Sequence, residues 1–215
     1  MVISSTLELG MSSETANRVL EIAKKVGALL YGDFTLSSGK KSDHYFDGKK
    51  LTLSPEGAYW VGKTFFDELA RIDVDAVGGL SIGADFIATA VALVSHLEDK
   101  PIPSFIVREV VKPHGTKKKV EGHLKEGSRV AIVDDVITTG TSVKKAIEAV
   151  EAVGCKVVKV MVIVDRKEGG GDQLKKEGYD FTAIIDLWPS GEASVSESST
   201  VAGEVRAGVL RRQPL

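Results

Sequence analysis

Two adjacent carboxylates and a hydroxyl-rich turn form the part of this sequence whose chemistry is clearest. Asp134 and Asp135 directly follow the β-branched apolar run 130–133, which is typical of a buried strand. The chain then reads Thr138-Thr139-Gly140-Thr141-Ser142 and continues into a helical pattern. A turn between a strand and a helix presents unpaired backbone N–H groups at the positive end of the helix dipole, so we expect a phosphate there. The carboxylates, which only accept hydrogen bonds, suit the vicinal hydroxyls of a sugar attached to that phosphate.

A simpler interpretation is that the two aspartates end a strand and the hydroxyls cap the next helix. Capping needs only one hydroxyl, however. Two adjacent carboxylates at the end of a buried strand also cost desolvation free energy, which favours a role in binding. The whole string therefore favours a phosphate cradle with a ribose site beside it.

A second candidate is the basic stretch 108–122, which lies between two predicted strands. Pro113 and Gly115 disfavour a helix, and loops of this length in compact domains are more often functional than not. Its cations, together with His114 as a possible proton donor, would suit a mobile lid that neutralises a leaving pyrophosphate and excludes water. The alternative is a solvated basic hairpin that contacts nucleic acid. The cations are Arg108, Lys112, Lys117, Lys118 and Lys119.

Arg166 follows a predicted strand that ends at Val164. Its planar guanidinium suits a carboxylate or the imide-like edge of a base, although a surface ion pair with Asp165 or Glu168 is also possible.

Two further segments are weaker candidates. Residues 33–47 predict a hairpin whose Tyr45 and Phe46 either cover a flat ring or belong to the core. Residues 78–85 fit a strand, a tight turn and a helix start, which would present amides to pyrophosphate or serve close packing alone.

The scaffold for these residues is an alternation of strands and helices. Such alternation, with Val- and Ile-rich strands, predicts an α/β fold with a mostly parallel sheet covered on both faces, and ligands at the carboxyl ends of the strands. An N-terminal amphipathic helix and the hairpin precede this part. The predicted elements are helices at about 13–30, 54–69, 84–97 and 141–153, and strands at about 75–79, 104–107, 129–133, 156–164 and 181–185.

Composition limits the number of domains, the kinds of partner and the cellular compartment that we expect. A chain of 215 residues with 43% hydrophobic residues suits one compact domain with a small appendage, and the net charge of −2 gives no general attraction to nucleic acid or membranes. The single cysteine, Cys155, excludes intrachain disulfides, suits a reducing cytosol and is expected to be buried. The N-terminus has no pattern of a secretory signal, and residues 76–97 favour a strand, a turn and a helix over a membrane span. The tail, residues 189–215, predicts weak order.

The string around the acidic pair resembles the phosphoribosyl-pyrophosphate (PRPP) motif of type I phosphoribosyltransferases. Arg108, Lys112 and His114-Gly115 are similar to the catalytic loop of orotate phosphoribosyltransferases within that superfamily, and so is the Asp-Arg-Lys-Glu-Gly pattern at 165–169. The hairpin resembles that family's N-terminal hood, and residues 78–85 its pyrophosphate loop. Glu109 and Ser37 stand where many members have lysine.

The resemblance implies the type I phosphoribosyltransferase fold, with an N-terminal helix and hood at 1–50, a core at 51–188 and a tail at 189–215 that is weakly ordered or packed on the hood. It implies transfer of phosphoribosyl from PRPP to orotate in pyrimidine synthesis, by a cytoplasmic homodimer in which the 108–121 loop reaches the neighbouring active site. Mg²⁺ would bind mainly through PRPP, without a set of protein ligands.

The resemblance also implies the residues of the site. Thr138 and Arg166 would contact orotate. Lys112, His114, Asp134 and Asp135 would be catalytic, and the residues contacting PRPP would be Arg108, Lys112, His114, Asp134, Asp135, Val136, Ile137, Thr138, Thr139, Gly140, Thr141 and Ser142.

Two other functions use the same cradle. One is a phosphoribosyltransferase for uracil or a purine, against which the Arg166 motif and the basic loop argue. The other is a regulator that binds PRPP and contacts RNA or DNA without catalysis. The sequence contains no recognisable DNA-binding segment, which disfavours the regulator.

Overall fold

The computed structural model describes residues 13–35, 41–109 and 119–196. Ser37, Lys112 and His114 lie outside these ranges, so the predictions that concern them stay predictions.

An N-terminal unit precedes the main sheet. Helix α1 (Ser13–Lys25) is followed by an antiparallel hairpin of β1 (Leu29–Thr35) and β2 (Lys41–Phe46), as the sequence predicted. We call this hairpin the hood. A short helix, α2 (Gly48–Thr52), comes next, and the side chain of Asp47 caps it by accepting a hydrogen bond of 3.1 Å from the Lys49 amide.

The core is a seven-stranded sheet. The strands are β3 (Ala76–Leu80), β4 (Ser104–Val107), β5 (Val120–Gly122), β6 (Arg129–Ile137), β7 (Lys156–Asp165), β8 (Phe181–Leu187) and β9 (Ala193–Val195). The central strands, in the order β4, β3, β6, β7 and β8, are parallel, and the antiparallel strands β5 and β9 lie at the two edges. The helices are α3 (Pro55–Leu69), α4 (Asp85–Leu97), α5 (Thr141–Glu151) and α6 (Gly170–Lys176).

Both faces of the sheet are buried. On β6, Ala131 and Val133 pack into a cluster with α1, α3 and α4, whereas Val130 and Ile132 pack into a second cluster with α5 and α6. Alternate residues of one strand therefore contribute to two cores, which explains the continuous apolar runs. The α/β prediction with a mostly parallel sheet is confirmed.

Several elements differ from the prediction. Strand β6 continues to Ile137, so the acidic pair lies within the strand and not beyond its end. Residues 193–195 of the tail, for which the sequence predicted weak order or packing on the hood, form β9 on the edge of β8 and pack against α1. Short edge strands and the brief helices α2 and α6 carry little periodicity, so tertiary pairing decides them. Among the described residues, no helix is both long and apolar enough to cross a membrane.

Candidate functional site

The hydroxyl-rich turn lies between β6 and α5. Gly140 precedes the helix in the left-handed conformation, with φ of 86°, and its carbonyl accepts a hydrogen bond of 2.9 Å from the Lys144 amide. The first amides of α5 have no partner within the helix, so they point into the space in front of the turn. A pocket of about 100 Å³ occupies that space, and residues 136–143 line it together with Asp134. The turn therefore has the form of an anion cradle.

The segment that follows β7 supports this turn from behind. The Gly170 amide donates to the Thr138 carbonyl at 2.9 Å, and a β-carbon on Gly170 would lie 2.6 Å from that same oxygen. The Arg166 amide donates to the Ile137 carbonyl at 3.0 Å. The cradle and the Arg166 segment are thus joined through their backbones, and a side chain at position 170 would separate them.

The two carboxylates of the acidic pair have different environments. Asp134 is 6% exposed and accepts a hydrogen bond of 2.9 Å from the Asp135 amide, while Asp135 is only partly buried and faces a larger cleft. Burial, and secondarily the neighbouring Asp135 carboxylate, raises the pKa of Asp134 well above its ordinary value. The pair therefore provides one largely desolvated acid beside one that is open to a ligand.

Glycines of two other segments make room for this pair. A β-carbon on Gly48 would lie 2.5 Å from Asp135 Oδ2, and one on Gly83 would lie 2.5 Å from Asp134 Oδ1. Gly83 belongs to the 78–85 loop, in which the Ser81 hydroxyl donates to the Asp85 carboxylate at 2.9 Å. The structure thus brings this loop to the acidic pair, and its contact with pyrophosphate stays a prediction.

Arg166 is 8% exposed and lies at the carboxyl end of β7. Its Nε donates to Glu168 Oε1 at 3.1 Å, so the pairing considered from the sequence exists, but in a buried setting and not on the surface. Its Nη2 is 3.4 Å from Nε2 of His44, a buried residue of the hood. Sequence reasoning missed His44. The signal was weak, because a single histidine within a polar strand indicates nothing about a partner on another element.

One cleft of about 660 Å³ joins these parts. Tyr45 is 38% exposed beside it, with its ring centroid 5.7 Å from that of Phe34, whereas Phe46 is buried in the core cluster and only borders the cleft. The hood and the core therefore form opposite walls. From the hood side the lining residues are Phe34, Thr35, Tyr45, Phe46, Gly48 and Lys49, and from the core side they are Asp135, Val136, Thr138, Thr139, Arg166 and Glu168.

The described ends of the basic stretch are paired with each other. Arg108 Nε donates to Glu121 Oε1 at 2.6 Å, and this hydrogen bond raises the pKa of Arg108 further above its ordinary value. The Arg108 amide donates to the Lys119 carbonyl, next to the antiparallel ladder of β4 and β5. Glu109 forms an exposed ion pair with Lys145 of α5 at 3.1 Å. A stretch predicted to be a loop throughout therefore ends in strand β5.

The fold and the site together define the class of protein: a mostly parallel sheet carries an acidic pair near the carboxyl end of its central strand, followed by a turn with the form of an anion cradle. The family model described as phosphoribosyl transferase domain matches residues 76–196, and the fold is that of the type I phosphoribosyltransferases.

Similarity to individual proteins identifies the family within the type I phosphoribosyltransferases. The chain is 45% identical to the orotate phosphoribosyltransferase of Aquifex aeolicus over 72% of this chain and 84% of the relative. It is 42% identical to that of Methanocaldococcus jannaschii over 80% of this chain and 94% of the relative. The structure of Mycobacterium tuberculosis H37Rv orotate phosphoribosyltransferase in complex with PRPP has a TM-score of 0.62 and 29% identity, and the match covers 81% of this chain and 88% of that one. The chain belongs to the orotate phosphoribosyltransferase family.

Proposed function

We propose that the protein transfers the 5-phosphoribosyl group from PRPP to orotate, giving orotidine 5′-monophosphate and pyrophosphate for pyrimidine synthesis. One observation carries the proposal: Asp135 and Arg166 line the cleft between the hood and the core, and that cleft shares the lining residues Val136, Thr138 and Thr139 with the pocket of the phosphate cradle. A sugar phosphate and a carboxylated base thereby gain binding groups in two neighbouring pockets.

In this proposal the cradle holds the 5′-phosphate of PRPP. The amides of residues 139–142 and the hydroxyls of Thr139 and Thr141, which lie 3.1 Å apart, donate to the phosphate oxygens. Val136 and Ile137 contribute backbone and apolar walls to the pocket. A phosphate in this position places the ribose over the acidic pair.

The acidic pair holds the ribose hydroxyls and stabilises positive charge at the anomeric carbon. Negative charge fixed before the reaction favours an oxocarbenium-like transition state because it needs no reorganisation as the pyrophosphate leaves. Asp135 is the member open to the cleft, and Asp134 supports it from the buried side.

Arg166 and Thr138 bind orotate. Arg166 has a buried position with Nε already paired to Glu168, so its Nη atoms are the ones that meet the base. A planar, permanently charged fork suits the orotate carboxylate better than the neutral edge of uracil. This contact favours orotate over a purine or uracil as the acceptor.

Phosphoribosyltransferases generally use Mg²⁺ with PRPP, and the residues present fit a metal that is held mostly by the substrate. Among the described residues, no group of three or more His, Cys, Asp or Glu side chains could hold a metal ion. The carboxylates of Asp134 and Asp135 offer hard oxygen ligands beside the cradle, and Mg²⁺ commonly combines such ligands with substrate phosphates and water. When bound, the ion would neutralise charge that develops on the pyrophosphate.

Arg108, Lys112 and His114 neutralise the leaving pyrophosphate in this proposal, from the neighbouring subunit of a homodimer. Arg108 is held by Glu121 at the base of the lid, and its two companions belong to the undescribed segment 110–118. We further propose a cytoplasmic location, since the described Cys155 is a buried free thiol.

The test is an assay of the purified full chain with Mg²⁺ that follows orotate consumption by ultraviolet absorbance, with PRPP present and then withheld. Uracil and adenine serve as competing acceptors, and release of pyrophosphate is measured in parallel. We expect PRPP-dependent loss of orotate with matching pyrophosphate. Turnover of uracil or adenine in place of orotate, or PRPP binding without pyrophosphate release, would contradict the proposal.

A further inference from the structure

His44 is the residue of the hood that contacts Arg166. It is 2% exposed, in the middle of β2, although its neighbours Asp43 and Tyr45 are exposed. Its ring makes two polar contacts: Nδ1 lies 2.7 Å from Asp43 Oδ1, and Nε2 lies 3.4 Å from Arg166 Nη2. The two residues of the second contact are 122 positions apart in the chain.

The chemistry of the partners determines which ring nitrogen carries the proton. A guanidinium has only donors, so Nε2 of His44 must accept the hydrogen bond from Nη2. The proton then resides on Nδ1, which donates to the carboxylate of Asp43. His44 therefore accepts from Arg166 through Nε2 and donates to Asp43 through Nδ1.

These contacts restrain the guanidinium on two sides. Glu168 accepts from Nε and His44 accepts from Nη2, and no residue among those described accepts from Nη1. With the Glu168 contact alone, the guanidinium plane of Arg166 could still rotate about the hydrogen bond at Nε. The second acceptor holds the plane and turns Nη1 away from both protein partners.

We propose that His44 is a positioning residue that orients Arg166 for orotate and so links the hood to recognition of the base. The inference rests on the proposed function, in which Arg166 binds orotate. His44 acts through Arg166 because its own ring is almost fully covered. The Ser42 hydroxyl donates to the His44 carbonyl at 2.7 Å, and a β-carbon on Gly191 would lie 3.4 Å from Nδ1.

Two substitutions of His44 test the roles of its two ring nitrogens separately. In His44→Gln the amide oxygen can reach the position of Nε2, so an acceptor for Arg166 remains while the bond to Asp43 is lost. In His44→Asn the shorter amide reaches the position of Nδ1, so a donor for Asp43 remains while Arg166 loses its acceptor. Both variants remove the ring, and each is therefore the control for the other.

We expect His44→Asn to raise the KM for orotate about tenfold at saturating PRPP, since a hydrogen bond to a charged group is lost. Its kcat and its KM for PRPP should change little, and His44→Gln should keep a KM for orotate near that of the parent. An equal rise of the KM for orotate in both variants, or no rise of it in either, would overturn the positioning role. Melting temperatures of both variants report loss of folding separately.

A measurement on the unaltered protein stands independently of how the variants fold. With ¹⁵N-labelled histidine, the side-chain spectrum of His44, assigned with the His44→Gln variant, should show the proton on Nδ1 with and without orotate. A proton on Nε2 would overturn the proposal. If the unaltered protein does not consume orotate, the proposed function fails first, whereas normal orotate turnover with indistinguishable Asn and Gln variants leaves that function intact and removes only the role of His44.

Discussion

Gly48, at the start of α2, lies directly against the carboxylate of Asp135: a β-carbon on Gly48 would lie 2.5 Å from Oδ2 and 2.7 Å from the Asp135 β-carbon. The first turn after the hood thus forms one wall of the proposed ribose site. Gly48→Ala should displace Asp135 and lower kcat/KM for PRPP about 100-fold, because small displacements of positioned groups are costly in catalysis.

Gly62→Ala is the matched control for Gly48→Ala. Gly62 also lies in a helix, and its β-carbon would meet the backbone of Ala90 at 2.9 Å, far from the cleft. The control should lower the melting temperature while the folded fraction retains its kcat/KM. Equal kcat/KM in the two variants would contradict the assigned wall.

Gly140→Ala tests the cradle. At φ of 86° an alanine is strained, by about 1 kcal/mol, and its methyl would lie 3.6 Å from Ile137 Cδ1 and 3.7 Å from Gly170 Cα. Relief of this strain would move the backbone amides that line the phosphate pocket. Gly127 has a similar φ of 80° and nothing within 4 Å of its β-carbon. Gly127→Ala is therefore the control, because it introduces similar backbone strain at a position outside the phosphate pocket. We expect similar losses of unfolding free energy from the two variants, but a raised KM for PRPP only from Gly140→Ala. Unchanged PRPP kinetics in Gly140→Ala would argue against a phosphate in the turn.

Asp134→Asn should make the protein more stable and less active at neutral pH. The folded-state pKa of Asp134 is raised above its ordinary value of 3.8, so the stability linked to its protonation is present below 3.8 and is lost as pH rises through the raised pKa. Asparagine imitates the protonated acid, keeps the acceptor for the Asp135 amide and does not titrate. We expect a gain of about 1 kcal/mol near pH 8 that shrinks toward about pH 4. Thermal unfolding across this range measures the gain, and a constant difference would refute the linkage.

Lys159 forms a buried ion pair near the amino end of β7, whereas the cleft lies at the carboxyl end of that strand. It is 4% exposed, and its Nζ lies 3.0 Å from Glu68 Oε1 and 2.9 Å from Asp180 Oδ1. Lys159→Ala leaves Glu68 buried without its main partner and should cost about 3 kcal/mol of unfolding free energy. The exposed Lys156 of the same strand supplies the control, Lys156→Ala, for which we expect little change. Denaturant unfolding measures both, and equal midpoints would mean that the pair contributes nothing.

Lys112→Ala tests the lid and the dimer together. Loss of a contact made in the transition state should lower kcat about 100-fold, with a smaller effect on the KM for PRPP. Co-expression with an Asp135→Asn chain should restore activity, because a mixed dimer would contain one site with an intact lid and an intact acidic pair. Assays of the separated mixed species measure this. Failure to recover would mean that the lid covers the site of its own subunit, or that the chains do not associate.

The cradle was predictable because it is local in sequence. A strand, a hydroxyl-rich turn with one glycine and a helix occupy 129–151 without interruption, and each step follows from side-chain periodicity and backbone geometry. The same holds for the parallel core strands, whose apolar runs are long enough to be recognised.

Edge elements were harder to predict. Strand β9 has three residues and β5 has three, and both exist because a neighbouring strand offers unpaired backbone groups at its edge. Such pairing depends on which segments the fold brings together, and so local sequence does not reveal it.

The amino-acid sequence by itself determined the chemical groups of the candidate site: a turn suited to an anion, two carboxylates beside it and an arginine after the next strand. Only the tertiary structure decided how those groups are held. It placed Gly48 and Gly83 against the acidic pair and His44 against Arg166. The reason is physical, since van der Waals exclusion and hydrogen bonding act between atoms that are near in space, and these partners are far apart along the chain.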